Sequence, residues 1–171
     1  MMRSDSSVKK LAVAAILVAV AVVGSMFSFP VLASRCSPVQ HMVNILCAVF
    51  LGPWYGFAAA FLASLIRNLL GLGTLLAFPG SMVGALACGL MYQKTRSLLA
   101  TCGAEVFGTG VLGGLAAWPV AVLLLGKAAA VYAYIWPFLV STAGGAVIAG
   151  AVLFALKRSG GLRTMQAAME R

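Results

Sequence analysis

A chain of 171 residues that is 63% hydrophobic and 9% charged excludes an ordinary soluble domain, since its few charges sit in short clusters between long apolar runs. The net charge of +9 would suit nucleic acid, but basic clusters bordering apolar runs are what membrane topology requires, so nucleic-acid binding is set aside. Runs such as 11–29 and 57–70 are continuously apolar, which excludes barrel strands and leaves helices as the way to pair every backbone group inside a bilayer.

The length suits a single domain over 1–171: an all-α integral membrane bundle of six transmembrane helices at roughly 20 residues per span, with no room for a soluble domain. The first predicted helix covers 9–29. Its basic start, Lys9 and Lys10, resembles a signal peptide, but the apolar stretch is long enough to span and no small-x-small cleavage site follows, so it reads as a retained helix. Ala12, Ala15 and Ala19 share one of its faces, and the spacing of Ala15 and Ala19 suits close contact with another helix.

A polar-leaning loop, 30–38, carries Arg35 and Cys36. The second helix, 39–51, is too short to cross alone at 1.5 Å per residue, so either it tilts or part of the preceding loop lies in the membrane. Gly52-Pro53 is a tight turn, and Trp54 and Tyr55 are interface anchors. The third helix, 54–70, ends in Arg67 and Asn68. The apolar but glycine-rich stretch 71–80 then reads as a broken or re-entrant piece before a fourth helix at 81–92, closed by Lys94 and Arg96. The fifth helix, 97–125, is rich in glycine, with a possible kink at Pro119. The sixth, 131–156, is followed by a basic tail.

Six crossings put Arg3, Lys9, Lys10, Lys94, Arg96, Lys157, Arg158, Arg163 and Arg171 on one side, against Arg35, Arg67 and Lys127 on the other. The positive-inside rule then makes both termini of this multi-pass cell-membrane protein cytoplasmic.

Polar residues within apolar spans are costly and mark candidate sites. Gln40, His41 and Asn44 open the second helix, with His41 and Asn44 three apart on one face. Arg67 and Asn68 reach the same outer level, as do Trp118, Tyr132, Tyr134 and Trp136. A few polar groups among aromatic walls make a small-molecule pocket, with Trp136 the best stacking candidate. The aromatics also suit an interfacial belt, and Arg67 also suits a snorkelling contact with membrane lipid. Glu105, the only acid inside a predicted span, has three open roles: touching ligand, carrying a proton, or capping a packing network with Thr109.

Cys36, Cys47, Cys88 and Cys102 form no CxxC pair and have no histidine cluster, so neither a metal site nor a disulfide is expected. Gly126-Lys127 is followed by Ala and lacks the upstream glycine of a phosphate-binding loop. No nucleophile–base pair has credible spacing. The expectation is no enzyme, no catalytic residue and no cofactor.

Three segments carry a family resemblance: Pro38-Val-Gln-His-Met-Val-Asn44, Leu51-Gly-Pro-Trp-Tyr55, and Arg67-Asn-Leu-Leu-Gly-Leu-Gly-Thr-Leu-Leu-Ala-Phe-Pro-Gly-Ser81. Together with Ala104-Glu-Val-Phe-Gly-Thr-Gly110 and Trp136-Pro-Phe-Leu-Val-Ser141, they resemble the ThiW family. That family comprises substrate-binding S components of energy-coupling factor (ECF) transporters, assigned to the thiazole precursor of thiamine. The resemblance implies an S-component-like six-helix fold, an outward vitamin pocket, and as partners a membrane T component and two cytosolic ATPases. In such proteins an Ala-xxx-Ala surface of the first helix meets the T component, which corresponds here to Ala15 and Ala19. A charge-poor, aromatic pocket suits a small neutral heterocycle such as hydroxyethylthiazole, whereas a carboxylate vitamin calls for more cations than Arg35 and Arg67 supply. Another thiamine-related precursor of the hydroxymethylpyrimidine type is the alternative ligand. A small proton-coupled carrier using Glu105 is the alternative of another class, with a membrane enzyme third.

Overall fold

Long apolar runs with neither alternation nor internal breaks fold as helices, because only the helix pairs their backbone groups locally. The computed structural model describes residues 2–32 and 34–170. Among these, helix α1 is Met2–Gly24, extended by a short tight turn at Ser25–Phe27; α2 is Pro38–Phe50, α3 Pro53–Leu69 and α4 Ala77–Thr95. Helix α5 is Leu98–Leu124, α6 is Ile135–Arg158 and α7 is Gly161–Glu170.

The expected six spanning helices become seven helices of unequal kind. Among the described residues, three segments are long and apolar enough to cross a membrane: Ser6–Phe27, Leu98–Leu124 and Ile135–Arg158. Helix α2 has 13 residues, nine of them buried, and α1, α3, α4, α5 and α6 pack around it. Its shortness is thus accommodated by enclosure: neighbours, rather than lipid, surround its apolar and polar faces alike.

Two further differences follow from local chemistry. The expected loop 30–38 contains a small antiparallel hairpin, β1 (Phe29–Val31) with β2 (Ser34–Cys36), in the register Phe29↔Cys36 and Val31↔Ser34. The end of β2 is tied to α6: Cys36 Sγ donates to the Pro137 carbonyl at 3.1 Å, and the Ser37 N–H donates to Ser141 Oγ at 2.8 Å. The expected basic tail is α7, a helix with one apolar edge. It folds back beneath the bundle, burying Leu162, while Gln166 Nε2 donates to Tyr92 Oη at 2.7 Å and to the Val49 carbonyl at 3.2 Å.

Helix α4 starts at Ala77 rather than at 81, so 71–76 is a turn between α3 and α4. Pro79 sits in the first helical turn, where backbone N–H groups have no helical partner and proline costs little. Helix α5 carries two wide, π-type turns, Gly108–Gly113 and Val120–Leu124, with Pro119 just before the second.

The core runs the length of the bundle. At the end holding the termini, Ile45, Leu46 and Val49 of α2 meet Tyr92, Ala149, Leu153 and Leu162. Val18 and Ala21 of α1 pack on Val43, Cys47, Ala59 and Ala63. At the far end Leu76, Ala117, Ala121, Tyr134 and Phe138 close a separate cluster. Lys9, Lys94, Arg96, Lys157, Arg158 and Arg163 are exposed at the first end, and Arg35 and Lys127 at the other. Arg171 and the side chain of Arg3, both counted in the charge asymmetry, lie outside what is described.

Candidate functional site

Sealing polar side chains inside an apolar bundle is costly unless each finds a partner. Here they gather at one level. A cavity of about 460 Å³ of atom-free space, mouth included, opens at the end opposite the termini. Its walls are the starts of α2 and α6, the end of α3, the start of α4 and the hairpin.

Helix α2 contributes Gln40 and His41, α3 contributes Arg67, and α4 contributes Ala77, Gly80 and Ser81. Phe138 and Ser141 of α6 face them, with Ser34 and Arg35 of the hairpin and Thr74 of the α3–α4 turn at the rim. Arg67 Nη1 donates to Gln40 Oε1 at 3.1 Å, fixing the amide so that its nitrogen end is free. Ser81 Oγ lies 2.9 Å from Ser64 Oγ and donates to the Ala77 carbonyl at 2.7 Å, so its proton is already committed.

Below the cavity floor lies a second layer built on Glu105, which is completely buried. Its Oε1 is 3.0 Å from His41 Nδ1 and accepts from Asn44 Nδ2 and from Thr109 Oγ1, each at 3.0 Å. Asn44 Nδ2 also donates to the Ser81 carbonyl at 3.1 Å, which joins α2, α4 and α5 through one amide. The carboxyl fits only because α4 presents Gly84: a Cβ there would overlap Thr109 Oγ1 and come within 2.8 Å of Glu105 Oε2. The wide turn at Gly108–Gly113 holds Thr109 in the cavity wall at this point, the kind of place where π-turns tend to occur.

The residues singled out in the sequence divide into four groups. Gln40, His41 and Arg67 line the cavity. Asn44 and Glu105 lie behind it and orient His41. Asn68 shapes its rim from outside, donating to the Ser64 carbonyl at 2.8 Å and the Thr74 carbonyl at 3.1 Å across the α3–α4 turn. The aromatics lie elsewhere. Tyr132 and Trp136 are about two-thirds exposed and outside the cavity, and Trp118 Nε1 donates to the Ala129 carbonyl at 2.9 Å. Stacking on Trp136 therefore has no geometric basis: Phe138, two residues further along α6 and on the inward face, is the aromatic of the wall.

Sequence reasoning passed over the hydroxyls Ser34, Ser37, Thr74, Ser81 and Ser141 as site residues. Ser81 and Ser141 lie within apolar helices, and that context is the signal that could have marked them. On α1, Ala12, Ala15 and Ala19 are all exposed, while Val18 and Ala21 turn inward.

A family model described as thiamine-precursor transporter protein (ThiW) matches residues 11–159. No curated protein and no solved structure matches the chain.

Proposed function

We propose, from the premise that this membrane chain belongs to the ThiW family of thiamine-precursor transporter proteins, that it is the substrate-binding S component of an ECF importer. It captures hydroxyethylthiazole, or a closely related thiamine precursor, from outside and delivers it with a T component and two cytosolic ATPases. The observation that carries this reading is the cavity at the end of the bundle away from the termini. Gln40 and His41 offer hydrogen bonds to a ring nitrogen and a hydroxyl, and Phe138 offers a flat apolar face to the ring. Asn44 and Glu105 hold His41 from behind, which fixes the geometry before ligand arrives.

The asymmetry of Lys and Arg supports an orientation with both termini cytoplasmic and six helices traversing the bilayer, α2 among them as an enclosed short one. The cavity then faces outward. The chain carries no phosphate-binding loop, so uphill import needs an outside engine. The outward alanines of α1 supply a surface on which another membrane helix can approach closely.

Calorimetry on the purified chain with a panel of thiamine precursors tests the ligand. Among the uncharged precursors, tightest binding of the thiazole alcohol is expected, and a preference for a hydroxymethylpyrimidine would move the assignment to that precursor. Co-purification with a T component and two ATPases tests the machinery. Proton-driven uptake by this chain alone would instead favour a carrier working through Glu105.

A further inference from the structure

We propose that the cavity recognises an oxyanion, a carboxylate or a phosphate carried by its small-molecule ligand, and that Arg67 is the residue that binds it. The inference rests on the reading of this cavity as the precursor site and adds a charge to the ligand.

Arg67 is 4% exposed, so protein encloses it and its charge cannot snorkel to lipid headgroups. A guanidinium has five N–H donors and keeps its charge in proteins. Here one donor group is engaged, with Gln40 Oε1 as acceptor, and Nε is buried with no partner. Two other buried atoms of cavity residues lack partners: Gln40 Nε2 and Ser37 Oγ. All three can donate, so the wall asks for an acceptor.

The charge balance points the same way. The chain has three acids, Asp5, Glu105 and Glu170. Asp5 belongs to the first turns of α1 and Glu170 ends α7, both at the opposite end of the bundle. Glu105 turns its Oε1 to His41, Asn44 and Thr109, and among the described residues no arginine or lysine pairs with an acid. Arg35, the other cation of the wall, adds positive charge and cancels none. A buried cation without a counter-ion is strongly unfavourable, and a bidentate carboxylate or phosphate is the group that matches guanidinium geometry best. Two arginines, too few for an acidic ligand by count alone, are therefore enough here, because no acid on the wall consumes either.

The test is calorimetry on the full chain in neutral detergent, with three ligands sharing one thiazole ring: the alcohol, its phosphate monoester, and the carboxylate analogue. At least one acidic ligand should bind about tenfold or more tightly than the alcohol, the effect of one hydrogen bond to a charged group. Arg67→Gln should abolish that advantage while the alcohol still binds, and ligand-free Arg67→Gln should melt no lower than wild type, because it removes an uncompensated charge. Equal or tighter binding of the alcohol would overturn the inference and leave the precursor reading standing. If no thiazole binds, that reading fails, and melting shifts with inorganic phosphate and acetate decide the anion. A shift in wild type that Arg67→Gln loses supports it, and no shift overturns it. A shift produced by anionic lipid but not by the soluble anions also overturns it.

Discussion

Replacing Gly145 with alanine should damage the site although Gly145 is not itself one of the lining residues. Gly145 lies on α6 where it crosses α2, and the two backbones meet there. An added Cβ would stand 2.5 Å from the Pro38 carbonyl oxygen, 2.6 Å from His41 Cβ and 2.9 Å from the Met42 nitrogen. Two of these neighbours are backbone, so no side-chain rotation relieves the clash. Ordinary contact begins near 3.4 Å, and α2 must retreat by several tenths of an ångström or more. Overpacking of this kind costs about 1–3 kcal/mol. Gly150, one and a half turns further along the same helix, has nothing within 4 Å of its added Cβ. There alanine should only add helix propensity, up to about 1 kcal/mol. At about 2–4 °C per kcal/mol for a chain of this size, Gly145→Ala should melt several degrees below Gly150→Ala. Because the displaced segment carries Gln40 and His41, Gly145→Ala should also weaken precursor binding, and Gly150→Ala should not. Thermal melts and calorimetry on both variants in one detergent check this. Equal melting points with equal affinities would refute the packing of α6 on α2.

Four other outcomes are expected. His41→Ala removes a cavity hydrogen-bonding group and a partner of Glu105, so calorimetry should show binding of the thiazole alcohol weakened by about 5- to 150-fold, corresponding to roughly 1–3 kcal/mol. Lys127→Ala, exposed beyond the end of α5, should leave that affinity unchanged in the same titration. Tryptophan at Ala15 or Ala19 should block co-purification of the T component while ligand binding survives, since bulk prevents backbone approach. Burial raises the Cys36 thiol above its ordinary pKa, which depletes the reactive thiolate at neutral pH. External maleimide should therefore label a cysteine placed at 35 quickly and Cys36 slowly, with Cys36 catching up as pH rises; labelling at 95 instead of 35 would invert the topology.

Helix order and the level of the site were legible because polar side chains stand out against so apolar a chain. Gln40, His41 and Arg67 could be assigned to one end from the count of crossings alone, and all three line the cavity. The rotation of each helix about its axis was not legible at the interface. Tyr132, Trp136 and Trp118 lie outside the cavity, and an aromatic expected near an interface serves lipid and cavity equally well, so composition could not say which way it turned. The partners of Glu105 were hidden for another reason: His41 lies 64 residues away in sequence, and only tertiary packing sets them side by side. The spacing of His41 and Asn44 did place both on one face, and both reach the same carboxyl oxygen. Three-residue strands carry too little pattern to detect, and α7 is dominated in composition by its solvated edge.

The wide turns of α5 make it a helix that cannot be unrolled on a regular wheel. Each π-turn takes in one surplus residue, so the angular frame downstream is offset by about 100° from an unbroken α-helix. A periodic scan begun at Glu105 loses its phase at Gly108–Gly113 and again at Val120–Leu124. A one-residue deletion between 108 and 113 would restore regular winding. It would also swing Trp118 and everything after it through that same angle, away from the neighbours it now meets.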